Sequence, residues 1–240
     1  MQLSGKTALV TGGTDGIGAH LIRQLRAKGA AIITSGRTPE RIEACRADGF
    51  EVVAADLSAQ SGVDALLAGV AGRPIDILIN NAGAGVDHDF REALPDAMAA
   101  DQAIFLNLNA PIHLITALMP VLKSRPEAMI VNVTSGLAVA PNTGSAVYCA
   151  TKAALRSYGQ SLRAQLAATG VHVLEALPPV VETKMTARLS SKKLAPEECA
   201  RQIIDAMERG ADEANVGQVK LLKLIHSISP AFARSFMLRF

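Results

Sequence analysis

The chain has 240 residues, 49% of them hydrophobic and 19% charged, which is enough apolar material for one large buried core and argues against disorder. A formal net charge of +2 gives no general reason to expect a nucleic-acid partner. Cys45, Cys149 and Cys199 show neither metal-ligand spacing nor a disulfide framework, so no metal site is expected and a reducing, cytoplasmic setting fits best. The first residues carry no cationic leader with an apolar export core, and no uninterrupted apolar run reaches the roughly 18 residues of a membrane span.

In chain order, short apolar runs at 7–11, 30–35, 52–55, 75–80, 129–134 and 171–176 read as buried strands. Amphipathic stretches at 17–28, 39–48, 62–71, 97–123 and 145–169 read as the helices between them. Strands apolar on both faces, alternating with helices, predict an α/β fold: a doubly wound parallel sheet of Rossmann-like type in a single domain, 1–240. Right-handed crossovers would bring the carboxyl ends of the strands to one edge, where ligands bind.

The first strand runs into Thr11-Gly12-Gly13-Thr14-Asp15-Gly16-Ile17-Gly18, at the start of the first helix. Glycines there permit a tight turn and close approach of a pyrophosphate to helix N–H groups. The spacing is Gly-x-x-x-Gly-x-Gly and not the commoner Gly-x-Gly-x-x-Gly. The second strand ends in Gly36-Arg37, where a dinucleotide ribose would lie. An acid at this place selects NAD; its absence, with an arginine following, predicts NADP(H) over NAD(H), although Asp15 brings opposing charge nearby.

Tyr148 and Lys152 are one helical turn apart and share a face. Moving a phenol from its ordinary pKa near 10 to about 7 needs about 4 kcal/mol. An exposed ion pair is too weak for this, whereas a partly buried ammonium beside an oxidised nicotinamide favours the phenolate strongly enough.

Together these motifs resemble the short-chain dehydrogenase/reductase family over nearly the whole chain. The loop at 11–18 resembles its cofactor motif, and Asp56-Leu57 the pair whose acid meets the adenine. Asn80-Asn81-Ala82-Gly83 is similar to the segment that steadies the sheet and borders the cofactor; Asn80, Ala82 and Gly83 are carried over as cofactor-binding. Asn107, Ser135, Tyr148 and Lys152 match the catalytic tetrad, Asn107 being preferred over its neighbour Asn109 because it opens the Asn-Leu-x-Ala phrase. Pro178-Pro179-Val180-Val181-Glu182-Thr183 resembles the Pro-Gly-x-x-x-Thr motif, which implies that Pro178, Val181 and Thr183 lie at the nicotinamide, with Pro179 replacing a glycine. The Pro-Pro segment and a Lys-Leu-Leu run also resemble a bacterial branch that includes oxidoreductases found with teichoic-acid D-alanylation genes.

The resemblance implies hydride transfer between NADP(H) and a carbonyl or secondary alcohol. Ser135 would donate to the carbonyl oxygen, Tyr148 would exchange the proton, Lys152 would also hold the nicotinamide ribose, and Asn107 would position a relay water. Leu137, Val139 and Pro141, with Met185 and Leu189 of a lid at 184–195, are expected to wall a hydrophobic small-molecule site, with Asp87 and His88 near its mouth. The segment 214–240 has no acid and mixes lysines and arginines with large apolar residues. It would meet either an anionic membrane surface or a neighbouring subunit; the second is favoured because family members form dimers and tetramers. A non-catalytic redox sensor acting through a protein partner is the alternative function, and it would not need the tetrad.

Overall fold

The computed structural model describes residues 1–86, 88–91, 94–188 and 192–239. Seven strands, β1 (Thr7–Val10), β2 (Ala31–Gly36), β3 (Glu51–Ala54), β4 (Ile77–Asn80), β5 (Ala128–Val133), β6 (Val171–Leu177) and β7 (Glu213–Asn215), form one parallel sheet. Their order is β3-β2-β1-β4-β5-β6-β7. The chain therefore reverses its direction of build between β1 and β4, and a crevice opens there at the carboxyl edge.

Alternate strand residues feed two apolar layers. Ala8, Val10, Ile77, Ile79, Met129, Val131 and Val133 face one side with Leu21, Ile22 and Leu25 of α1 (Gly16–Ala27), Ile42 of α2 (Pro39–Ala47) and residues of α7 (Pro196–Glu208). Leu9, Leu78, Ala128 and Ile130 face the other, with α3 (Gln60–Gly69), α5 (Ala110–Lys123) and α6 (Ala146–Leu166). All of these strand residues are buried, as a sheet covered on both faces demands.

The expected helix at 97–123 is a continuous rod in three parts: α4 (Ala97–Ile104), a π-helical turn (Phe105–Asn109) and α5. The rod is long and apolar enough to cross a membrane by length and composition alone, but Leu114, Ile115, Leu118 and Leu122 are buried in the second core layer. Four elements go beyond the sequence reading: α7, β7 and the two closing helices. α7 begins with Pro196 and carries Glu197 and Glu198 in its first turn, both ordinary start signals. β7 is a three-residue edge strand of polar composition. The chain closes with α8 (Val219–Ile228) and α9 (Pro230–Met237).

Candidate active site

The carboxyl edge carries a cleft of about 540 Å³, running from Arg37, Asp56 and Leu57 at one end to Ser135, Tyr148 and Lys152 at the other. Gly12, Thr14, Asp15, Gly16, Ile17, Ala82, Gly83, Pro178, Val181 and Thr183 line it between those ends. Gly12 and Gly16 adopt φ of +68° and +53°, which side chains rarely tolerate. A Cβ at Gly12 would approach Ala82 Cα to 3.1 Å, and one at Gly16 would approach Thr183 Cγ2 to 3.2 Å. The loop thus lies flat against both walls and opens onto the N-terminus of α1, a backbone cradle that fits a pyrophosphate.

A hydrogen-bond latch fixes this loop to the end of β4. Thr11 Oγ1 donates to Ile79 O and accepts from the N–H groups of Asn81 and Ala82, while Asn81 Nδ2 donates to Thr11 O at 2.9 Å. Gly18 is required by the latch: a Cβ there would lie 2.2 Å from Gly12 O and 2.6 Å from Asn81 Nδ2. Gly18 is therefore a packing residue outside the cleft lining. Asn80 has the sheet-steadying part of its expected role. Its buried amide donates to Asn132 Oδ1 at 2.9 Å across the β4–β5 pair, so its side chain braces the sheet behind the cleft, and Asn81 makes the latch.

At the adenosine end, Arg37 is exposed and 3.7 Å from Asp56 Oδ1, an open pair easily exchanged for a ligand anion. Arg41, missed in the sequence, also lines the cleft and pairs with Asp15 Oδ2 at 2.7 Å. Asp15 in addition caps α1 by accepting from Gly16 N, so its charge is already engaged. A Cβ at Gly36 would meet Thr14 Cγ2 at 2.6 Å, so any larger residue there would have to displace the Thr14 side chain.

At the other end, Ser135 follows β5 and caps a short 3₁₀ turn (Gly136–Ala138), accepting from Leu137 N at 3.1 Å. Leu137, Val139 and Pro141, in and beyond that turn, are not among the residues lining this cleft; Pro179, Leu106 and Met185 are among its apolar lining. Asp87 and Leu189 lie outside the described residues. His88 bridges to Ser145 just before α6, and Phe90 beside it is exposed. The base of the 184–195 segment is pinned by Glu182 N donating to Leu194 O and Leu194 N to Val180 O.

Lys152 is buried and donates to Val133 O at 2.9 Å, with its Nζ 5.7 Å from the Tyr148 ring centroid. Burial lowers its pKa to about 8. Burial also pushes the Tyr148 phenol up to about 12, against a smaller downward pull from its hydrogen bond with Ser135. Loss of water dominates at the phenol, and the Lys152 amine is turned toward a backbone carbonyl. Asn107 is fully buried within the π-helical turn, one layer behind the cleft. Its amide pairs like a strand with Ala84, accepting from the N–H at 3.0 Å and donating to the carbonyl at 2.8 Å. Gly83 lies between these groups: a Cβ there would be 3.0 Å from Asn107 Oδ1 and 3.4 Å from Lys152 Nζ.

The family model described as short chain dehydrogenase matches residues 6–194 of this sequence. The chain belongs to the short-chain dehydrogenase/reductase family. Within it, an uncharacterized oxidoreductase of Bacillus subtilis named DltE is 34% identical over 93% of this chain and 92% of its own, in keeping with the narrower bacterial resemblance. A solved short chain dehydrogenase from Burkholderia cenocepacia in complex with NADP superposes with a TM-score of 0.89 at 29% identity, covering 99% of both chains. A 3-ketoacyl-(acyl-carrier-protein) reductase from Brucella melitensis, complexed with NADH, gives 0.79 at 26% identity over 88% of this chain and 96% of its own. The short-chain dehydrogenase/reductase fold and an oxidoreductase acting on CH–OH or C=O groups follow from these matches.

Proposed function

We propose that this protein is an NADP(H)-preferring reductase of a hydrophobic carbonyl compound, working reversibly on the matching secondary alcohol. The observation that carries the reading is the placing of Ser135, Tyr148 and Lys152 at one end of a single cleft whose other end offers Arg37 and Arg41. The flat glycine loop fits a dinucleotide pyrophosphate, and the arginines fit a ribose phosphate. Thr14, Asp15, Gly16 and Ile17 would surround the pyrophosphate; Asp56 and Leu57 the adenine; Ala82 and Gly83 the middle of the ligand; Pro178, Val181 and Thr183 the carboxamide. When bound in reduced form, the nicotinamide supplies a hydride to the carbonyl carbon.

The side chains of the chain handle the proton. At neutral pH a phenol held near 12 is protonated, so Tyr148 is poised as the acid that carbonyl reduction requires. Ser135, which lines the same end of the cleft as Tyr148, donates to the substrate oxygen. Lys152 brings positive charge under the developing phenolate and lowers the barrier to proton release. Asn107 acts through position: with its amide engaged by Ala84, it holds the 84–85 wall, and any relay to solvent would use the backbone of the π-helical turn. Exposed Met185 in the cleft lining favours an apolar substrate. We also assign the protein to the cytoplasm as a homodimer or homotetramer.

The test is a panel of carbonyls and alcohols followed through NADPH absorbance. Sustained turnover of apolar carbonyls is expected, with Tyr148→Phe at least about a hundredfold slower and NADPH binding retained. Tight NADPH binding with no turnover across a broad panel would refute the catalytic reading.

A further inference from the structure

The end of the chain builds a surface that the cleft does not use. α8 and α9 meet at Ser229 and pack on one another. The inner side of α8 is anchored: Val219 Cγ2 and Leu222 Cδ2 lie over Gly136, and Lys223 is ion-paired with Glu213. Glu213 also pairs with Arg156 at 3.2 Å, which in turn holds buried Glu175. The outer side is therefore presented by a fixed scaffold.

That outer side is apolar and basic. Leu221, Leu224 and Ile228 form one stripe at i, i+3 and i+7, and they are 59%, 58% and 78% exposed. Phe232 of α9 is 59% exposed and stacks on Phe236. Lys220, Arg234 and Arg239 are exposed among them, and residues 214–240 contain no aspartate or glutamate. A second copy docked here by a twofold axis would set this basic face against itself with no acid from the segment to offset it. The complementary occupant is negatively charged and offers an apolar interior.

We propose that α8 and α9 form a peripheral anchor for an anionic lipid bilayer. The stripe on α8 and Phe232 enter the acyl boundary, and Lys220, Arg234 and Arg239 meet lipid phosphates. Oligomer contacts of the kind common in the family would then use other faces.

The test is sedimentation of the full chain with phosphatidylcholine vesicles, with and without phosphatidylglycerol, at low and high salt. Binding that needs phosphatidylglycerol and falls with salt is expected. Lys220→Glu with Arg234→Glu should weaken it at least about tenfold, and Leu224→Ser with Phe232→Ser should abolish it, while circular dichroism and NADPH binding stay unchanged. Failure of the wild type to sediment with anionic vesicles at low salt would overturn the proposal without reference to any variant. So would light scattering in which Leu224→Ser with Phe232→Ser breaks a larger assembly into smaller ones and leaves vesicle binding unaltered, because a second copy would then be the occupant.

Discussion

Replacing Lys152 by methionine should change stability in a way that depends steeply on pH. The distance from an ordinary lysine at 10.5 to about 8 corresponds to about 3 kcal/mol by which burial disfavours the ammonium. Below about 8 the amine is charged in both folded and unfolded protein, and the folded state bears that cost in full. Between about 8 and 10.5 the folded protein gives up its proton first while the unfolded chain keeps it, so stability rises with pH. Between pH 7 and about 9.5 the wild type should recover about 2 kcal/mol from this group. The variant lacks this gain. It also leaves the Val133 carbonyl without its donor, an offset of about 1–3 kcal/mol that does not vary with pH. Tyr148 and Cys199, both pushed up to about 12 by burial, act in the opposite direction at high pH but are present in both proteins. Urea denaturation of the ligand-free proteins across this pH range isolates the difference. A wild-type minus variant gap that stays flat would refute a desolvated lysine at this position.

Arg37→Ala should lower the NADPH to NADH ratio of kcat/KM by about tenfold or more, the worth of one charge-assisted contact; equal efficiency of the wild type with both would remove the basis of the assignment. Gly18→Ala should cost about 1–3 kcal/mol and weaken NADPH binding, since the methyl lands on Gly12 O and Asn81 Nδ2; an unchanged Tm would contradict the latch. Arg156→Met should destabilise by about 3–5 kcal/mol by stranding Glu175, and adding Glu175→Leu should restore much of it. Denaturant titration of both proteins distinguishes this from a simple loss of packing.

The sheet was legible because its strands announce themselves twice, as apolar runs and as the segments that end in Gly12, Gly36, Asn80 and Ser135. β7 was not: Glu213 and Asn215 are polar, and only the edge position beside β6 makes them a strand. Pro196 with Glu197 and Glu198 carries an ordinary helix-start signal for α7. Motif order pointed to Ser135, Tyr148 and Lys152, which the fold brings to one end of the cleft, whereas the burial of Asn107 against Ala84 depends on the π-helical turn. Whether Asn80 or Asn81 reaches the glycine loop depends on strand register, in which Asn80 stands opposite Asn132. Arg41 enters the cleft because α2 starts immediately after β2, a tertiary fact with no motif attached. The direction of the Tyr148 shift turns on how much water the fold removes, and no spacing rule contains that quantity.

The π-helical turn has a consequence for how this rod can be altered. It is equivalent to one surplus residue in a regular helix, and each residue of such a helix turns it by about 100°. Deleting any one position from 105 to 109 would mend the hydrogen-bond ladder, yet it would swing Asn107 off Ala84 or drag Leu114 and Leu118 out of the apolar layer. A smoother helix here means a misaligned protein, so the irregularity marks a place where shortening the chain by a single amino acid should be tolerated worse than most substitutions at the same sites.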